Sequence, residues 1–257
     1  MIPPILLIAG AGLLILLLTG IKSAARTEHP TGGTAVPGAH GATGLLRRYA
    51  AQLARYGSPM PAPALALIMY RESGGQPGVI AKGAVTGASE LGLAQLTVEH
   101  TGRSGEAQLA DVDPLDPTGA IYGVQHNYSW IRERLIPWLA EHGFAEVTDA
   151  RDWIVLMHLG RSIGFAGTKA ILTVAQGKAD NPVAALRVLT TTATREIPKI
   201  GRQTPELVAK RLKKAIALPD NAATLGMLPT TLDRLPDRGA EVPRFNLAAA
   251  LAAIERA

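Results

Sequence analysis

Apolar and polar positions alternate with a helical period along most of this chain. Leu45, Leu46, Tyr49, Leu53 and Tyr56 recur three and four apart, which predicts a helix from Gly44 until Gly57-Ser58-Pro59 breaks it. A second helix is predicted over Pro61 to Ser73, with Ala64, Leu65, Ile68 and Met69 on one side. Gly74 to Ser89 reads as loop and Leu91 to Thr97 as a short apolar piece. Asp116-Pro117 opens a long helix through Ile121, Val124, Tyr128, Ile131 and Leu135. Further helices are predicted at 149–159, 166–176, 181–190 and 204–217. Pro219 to Pro243 is rich in Pro, Asp and Arg and reads as extended. Asn246 then caps a short helix carrying Leu247, Leu251 and Ile254 on one stripe. Alternating strand patterns are scarce, so the fold class is mainly α.

The two ends of the chain differ from its middle. Ile2 to Ile21 is apolar apart from Thr19. As a helix, Ile5 to Ile21 would run roughly 26 Å, just enough to cross a hydrocarbon core. It has no positive charge before Lys22, which a cleavable leader needs, and it is apolar on every side, which suits lipid. A single membrane anchor over residues 1–26 is therefore expected, contacting lipid through residues 2–21. Lys22 and Arg26 follow the span, which directs the C-terminal bulk to the cytoplasmic face of an ordinary cell. Residues 27–43 read as a Gly/Thr/Pro/Ala-rich linker, 44–217 as the folded domain, and 218–257 as a tail that docks on this domain or on a partner.

Composition narrows the chemistry. Of 257 residues, 47% are hydrophobic, enough for a real core, and none is Cys, which removes thiolate zinc sites and thiol nucleophiles. The six histidines have no metal-ligand spacing, and no phosphate-binding glycine motif occurs, so no metal or nucleotide cofactor is expected. Gly160-Arg161-Ser162-Ile163-Gly164 matches the nucleophile-elbow pattern, but no His follows the serine to complete a triad. The glycines then read as a tight turn between helices. Residues 187–214 carry +6, more than the +5 of the whole chain. A solvated helical face and a surface for an anionic polymer, membrane or nucleic acid both fit this. The lack of interleaved aromatics makes nucleic acid the poorest fit.

One carboxyl stands out. In Tyr70-Arg71-Glu72-Ser73-Gly74-Gly75 a glutamate closes an apolar helix just before a glycine turn. Apolar neighbours and the negative end of the helix dipole would disfavour its anion, the tuning that a proton donor near neutral pH needs. Glu72 is expected in the deepest part of an open groove. An ordinary surface glutamate in a last helical turn is the competing reading.

The context of Glu72 resembles the lytic transglycosylase (SLT, lysozyme-like) family. The Glu-Ser-Gly turn, the Gln76-Pro77 step and Gly92-Leu93-Ala94-Gln95 follow its pattern of an E-S turn, an x-P step and G-A-x-G-L-M-Q. Asp113-Pro114-Leu115-Asp116-Pro117 matches the usual lead into a long helix. His158 to Leu172 with Asn181-Pro182 looks like a variant found in phage-encoded members. The resemblance spans about residues 45–195 and implies a lysozyme-like helical domain. It further implies that Glu72 is the catalytic acid, that Ser73, Gly92, Leu93 and Gln95 contact substrate, and that no cofactor is needed. His158 stands where the family has Asn and takes its hydrogen-bonding place, or is structural.

This chain also departs from the family. The step from Glu72 to Gln95 is longer than usual, which places an insertion at Lys82–Glu90. No acid follows Gln95, where goose-type lysozymes have one; Glu90 is the nearest second carboxylate. Glycosidases with two carboxylates hold them about 5 to 10 Å apart. A glycine-flanked loop is a poor platform for positioning water, so Glu90 reads as a bystander. The resemblance then implies cleavage of the MurNAc–GlcNAc β-1,4 bond of peptidoglycan, with a 1,6-anhydromuramoyl product. Three alternatives remain: a two-carboxylate muramidase, an envelope transglycosylase of a conjugation or secretion system, and a non-catalytic membrane-anchored structural protein. An inside-directed wall enzyme suits a phage particle, where the tail would meet other virion proteins.

Overall fold

A computed structural model describes residues 39–82, 88–100 and 105–257, with side chains from Gly41 onward. The chain is mainly helical. The predicted anchor at residues 2–21 and most of the predicted linker lie outside the described residues. Among the described residues no helix is long and apolar enough to cross a membrane.

Residues Gly38–Ala257 form one unit. It opens with α1 (Ala39–Arg48) and α2 (Ala50–Tyr56), which break at Tyr49 where one continuous helix was predicted. The first helix begins inside the predicted linker because Ala42, Leu45 and Tyr49 continue its buried stripe. α3 (Ala62–Ser73) follows, with Pro63 in its first turn and α1 packed against it.

The predicted loop and the short apolar piece after it together hold a three-stranded antiparallel sheet. Its strands are β1 (Ile80–Lys82), β2 (Ser89–Leu91) and β3 (Leu96–Val98), with β2 central. Glu90 pairs with Ala81 on one side and Thr97 on the other. Residues 82–90, read from the sequence as an insertion, include the end of β1 and the start of β2, and residues 83–87 lie outside the described residues.

After α4 (Glu106–Leu109), the long α5 (Pro117–Glu141) runs through the core. Asp116 caps it by accepting from the Gly119 amide at 2.9 Å. Ile121, Val124, Tyr128, Ile131 and Leu135 are buried, as their spacing predicted. Gln125 is buried too, and its amide brackets Met60: Nε2 donates to the Met60 carbonyl at 2.6 Å and Oε1 accepts from the Met60 amide at 2.8 Å. This pins the break between α2 and α3 to the central helix.

α6 (Ala150–Ile163), α7 (Phe165–Ala175), α8 (Pro182–Thr191) and α9 (Pro205–Ala223) complete the bundle. Gly160 to Ile163 lie within α6, so the predicted turn begins only at Gly164, whose φ is +80°. Gly160 is needed for packing instead: a Cβ there would meet Ile131 Cγ2 of α5 at 2.6 Å. α9 extends to Ala223, past the predicted end at 217, because Leu218, Pro219 and Ala222 prolong its buried stripe.

The tail docks on this unit as a strap. Arg132 donates to the Leu232 carbonyl, Tyr56 donates to Glu241, Arg238 pairs with Asp111, and the Asp113 amide donates to the Pro243 carbonyl. Val242 is buried under it. The terminal helix α10 (Leu247–Glu255) is capped by Asn246, as predicted, and packs Leu247 and Ile254 against the core.

Candidate functional site

The end of α3 is fixed from two directions. Gly74 takes the left-handed conformation (φ +64°) and donates to the Tyr70 carbonyl at 2.9 Å. Buried Ser73 bonds the Leu93 carbonyl at 2.8 Å and the Met69 carbonyl at 3.0 Å, and accepts from Gly75 N. The serine of the Glu-Ser-Gly turn thus ties the helix end to the Gly-Leu-Ala-Gln turn.

That second turn is built almost entirely inward. Leu93 is fully buried. Gln95 is buried with φ +52°, and its amide nitrogen donates to Gly92 O at 2.8 Å and Val79 O at 3.2 Å. Gly92 has φ +76°, and a Cβ there would stand 1.7 Å from the Pro114 carbonyl oxygen. Ser73, Gly92, Leu93 and Gln95 therefore serve here as the mount for the carboxyls. The side chains of Ser73 and Gln95 hold separate chain segments together. Backbone atoms cannot yield to a new methyl as a side chain can. Gly92→Ala should accordingly cost about 3 kcal/mol or more, from strain at positive φ and overpacking together. A urea midpoint close to wild type would show that the turn has room to shift.

The two acids differ in their exposure. Glu72 is exposed, which overturns the expectation that it lies desolvated at the bottom of a groove and fits the competing reading of a surface glutamate in a last helical turn. The last turn of α3 projects it past the apolar face that Leu65, Ile68 and Met69 bury. Two surface clefts, one bounded by Ser129, Ile136 and Leu232 and one by Arg151, Met227 and Thr230, include neither Glu72 nor Glu90. The desolvation falls instead on Glu90, half-buried on the central strand. Burial pushes its carboxyl above the ordinary range, the charge of Glu72 pushes it further, and Arg161 opposes. Glu90 therefore does not stand on a loop, and the platform argument against it falls.

The sign of this shift is testable. Between the ordinary value near 4.5 and the raised folded value, the native state binds more protons than the unfolded chain. Stability contributed by neutral Glu90 is present at acidic pH and lost as pH rises through the folded pKa. Glu90→Gln should raise the urea midpoint at pH 7 and leave it unchanged at pH 4. An equal change at both pH values would mean that the carboxyl is not desolvated.

Arg161 and Glu106 form the polar centre behind the acids. Arg161 Nε meets Glu106 Oε1 at 3.1 Å, with the two side chains only 10% and 17% exposed. Arg161 Nη2 also donates to the carbonyls of Ala94 at 2.8 Å and Gln95 at 3.1 Å. Glu106 further accepts from Thr97 N at 3.1 Å and Asn127 Nδ2 at 2.7 Å. Burial alone would lower the Arg161 pKa, but nearby negative charge, Glu106 foremost, outweighs it and holds the guanidinium cationic. Arg161 lies within the Gly160–Gly164 pattern, which assigns it no role, Glu106 lies in no motif, and the two are 55 positions apart.

His158 lies one turn before Arg161 on α6. Burial first, then the charges of Arg161, Arg71, Lys214 and Arg211, lower its pKa to about 3. Its imidazole is neutral, with Nδ1 buried and unbonded. Among the described residues no cluster of His, Asp and Glu could hold a metal ion. No family model, curated protein or solved structure matches this chain.

Proposed function

We propose that this chain is a lytic transglycosylase of peptidoglycan, with Glu72 as acid and then base. Glu72 protonates the glycosidic oxygen between N-acetylmuramic acid and N-acetylglucosamine. The muramoyl C6 hydroxyl captures the oxocarbenium-like centre and returns its proton to Glu72, so no water is consumed. The observation that supports this reading is the tie between the Glu72-Ser73-Gly74 turn and the Gly92–Gln95 turn through the Ser73–Leu93 hydrogen bond. Glu72 is an exposed carboxyl at a helix end locked by Gly74 and Ser73, within electrostatic reach of Glu90 on the facing sheet. The neutral imidazole of His158 offers a hydrogen-bonding group to the sugar from the side of α6. The reading includes attachment to a lipid membrane through residues 2–21, in a phage particle that opens the wall as the genome passes into the cell. The envelope of a conjugation or secretion system is the alternative setting.

A second reading is favoured by one observation. Glu90 sits on the central strand with its carboxyl shifted towards the neutral form, and two carboxyls in unlike environments are the usual arrangement for dividing acid and base roles. In that division the neutral-shifted Glu90 is the acid and Glu72 activates water, so the enzyme is a muramidase. Digestion of purified sacculi separates the two. Product ends one water lighter than reducing ends, identified by mass spectrometry, are expected. Reducing ends alone would establish the hydrolase, and release of no fragments would remove both.

A further inference from the structure

α9 carries Lys210, Arg211, Lys213 and Lys214 against Glu206 and Asp220. Its buried stripe of Val208, Leu212, Ala215 and Leu218 lies where the helix packs on α6 and α3. Helical spacing puts Arg211 and Lys214 together along one border of that stripe, with Lys210 one turn before Lys214. Lys210 and Lys214 are exposed, while Arg211 is half-buried. Arg211 is anchored by Nη1, which donates to the Ser162 carbonyl near the end of α6. This flank therefore stands beside the helix ends that carry Glu72 and His158. The electrostatics agree: Arg211 and Lys214 act on His158, and Arg211 acts on Glu90. Exposed Arg71 completes the arc from α3. Among the described residues Arg71, Lys210 and Arg211 form no ion pair with a carboxylate.

An uncharged glycan gives this arc nothing to bind. The arrangement makes sense when the substrate brings its own negative charge and occupies the cations. No aromatic side chain interleaves with the basic residues of α9, so stacking of nucleic-acid bases is not served. We infer that the basic flank of α9, with Arg71, binds carboxylates borne by the glycan strand beside the cleaved bond. Those carboxylates are on the peptide stems attached to the lactyl groups of muramic acid. The substrate class is then acidic, stem-bearing peptidoglycan. This deepens the activity proposed above and rests on it.

The test compares native sacculi with sacculi whose carboxylates have been amidated by a carbodiimide and ammonia. The full chain is used with and without Lys210→Gln/Lys214→Gln, which removes two exposed charges and keeps the Arg211–Ser162 bond. Fragment release is measured for both proteins. Co-sedimentation is measured for both in the Glu72→Gln background, where no cleavage is needed. Amidation should weaken binding and raise KM for the chain with both lysines by about five- to tenfold, as expected for two exposed ion pairs. The double variant should bind native sacculi more weakly than the parent, and amidation should weaken it by a smaller factor than it weakens the parent, the remainder being carried by Arg71 and Arg211. Equal binding of both sacculi by the parent overturns the inference whether or not cleavage occurs. So does an undiminished amidation effect in the double variant. Failure of cleavage alone, with carboxylate-dependent binding intact, removes the enzymatic reading and leaves the anionic-strand surface standing.

Discussion

Glu72→Gln is expected to lower fragment release from sacculi by about 10²- to 10⁴-fold, the range over which a positioned acid or base contributes. The same substitution should leave folding stability within about 0.5 kcal/mol of wild type, because Glu72 is exposed and its side chain makes no hydrogen bond among the described residues. The combination is what discriminates. A scaffold with an idle carboxyl would show no activity in either protein, and an enzyme working through another acid would keep at least about a tenth of its rate. Glu90→Gln, measured alongside, assigns the second carboxyl. If Glu90 only tunes its neighbour, the loss stays within about tenfold; if it is the acid of a water-using pair, the loss approaches that of Glu72→Gln and the products carry reducing ends.

The parts of this molecule that were legible in the sequence are those whose cause is local. The start of α5 follows from Asp116 and Pro117, a cap and a pre-set first turn, and the structure places both as read. The buried stripe from Ile121 to Leu135 follows from its spacing, as does the capping by Asn246. The helix end at Gly74 was marked by its paired glycines. The sheet was not legible, because strands of three residues are too short to display alternation. That omission hid the setting of Glu90, which then read as a loop residue. The exposure of Glu72 was missed for a related reason. Hydropathy along α3 shows that the helix is buried, but not which flank of its last turn faces solvent. The structural bonds of Ser73 and Gln95 were also not legible, because both side chains bond backbone carbonyls and carbonyls carry no sequence signal.

The ion pair behind the acids should show the largest effect on stability. Arg161→Met would leave Glu106 buried without its counter-charge and free the carbonyls of Ala94 and Gln95. Breaking a buried pair by removing one partner costs about 3–5 kcal/mol, a large part of the roughly 5–15 kcal/mol that holds a typical domain together. Glu106→Gln should be milder, since an amide oxygen can still accept from Thr97 N or Asn127. The double variant Arg161→Met/Glu106→Gln should be more stable than the sum of the single losses predicts, by about 1–3 kcal/mol, because neither charge is then stranded. Urea unfolding of the four proteins gives this coupling directly. Additive losses would mean that the guanidinium acts through the two carbonyls alone. Arg161 has a second effect that a purely structural pair would lack. It opposes the shift at Glu90, so its removal should raise that carboxyl further. In any of the variants that remains folded without Arg161, the pH dependence of activity assigned to Glu90 should move towards higher pH. An unchanged profile would confine Arg161 to holding the turn.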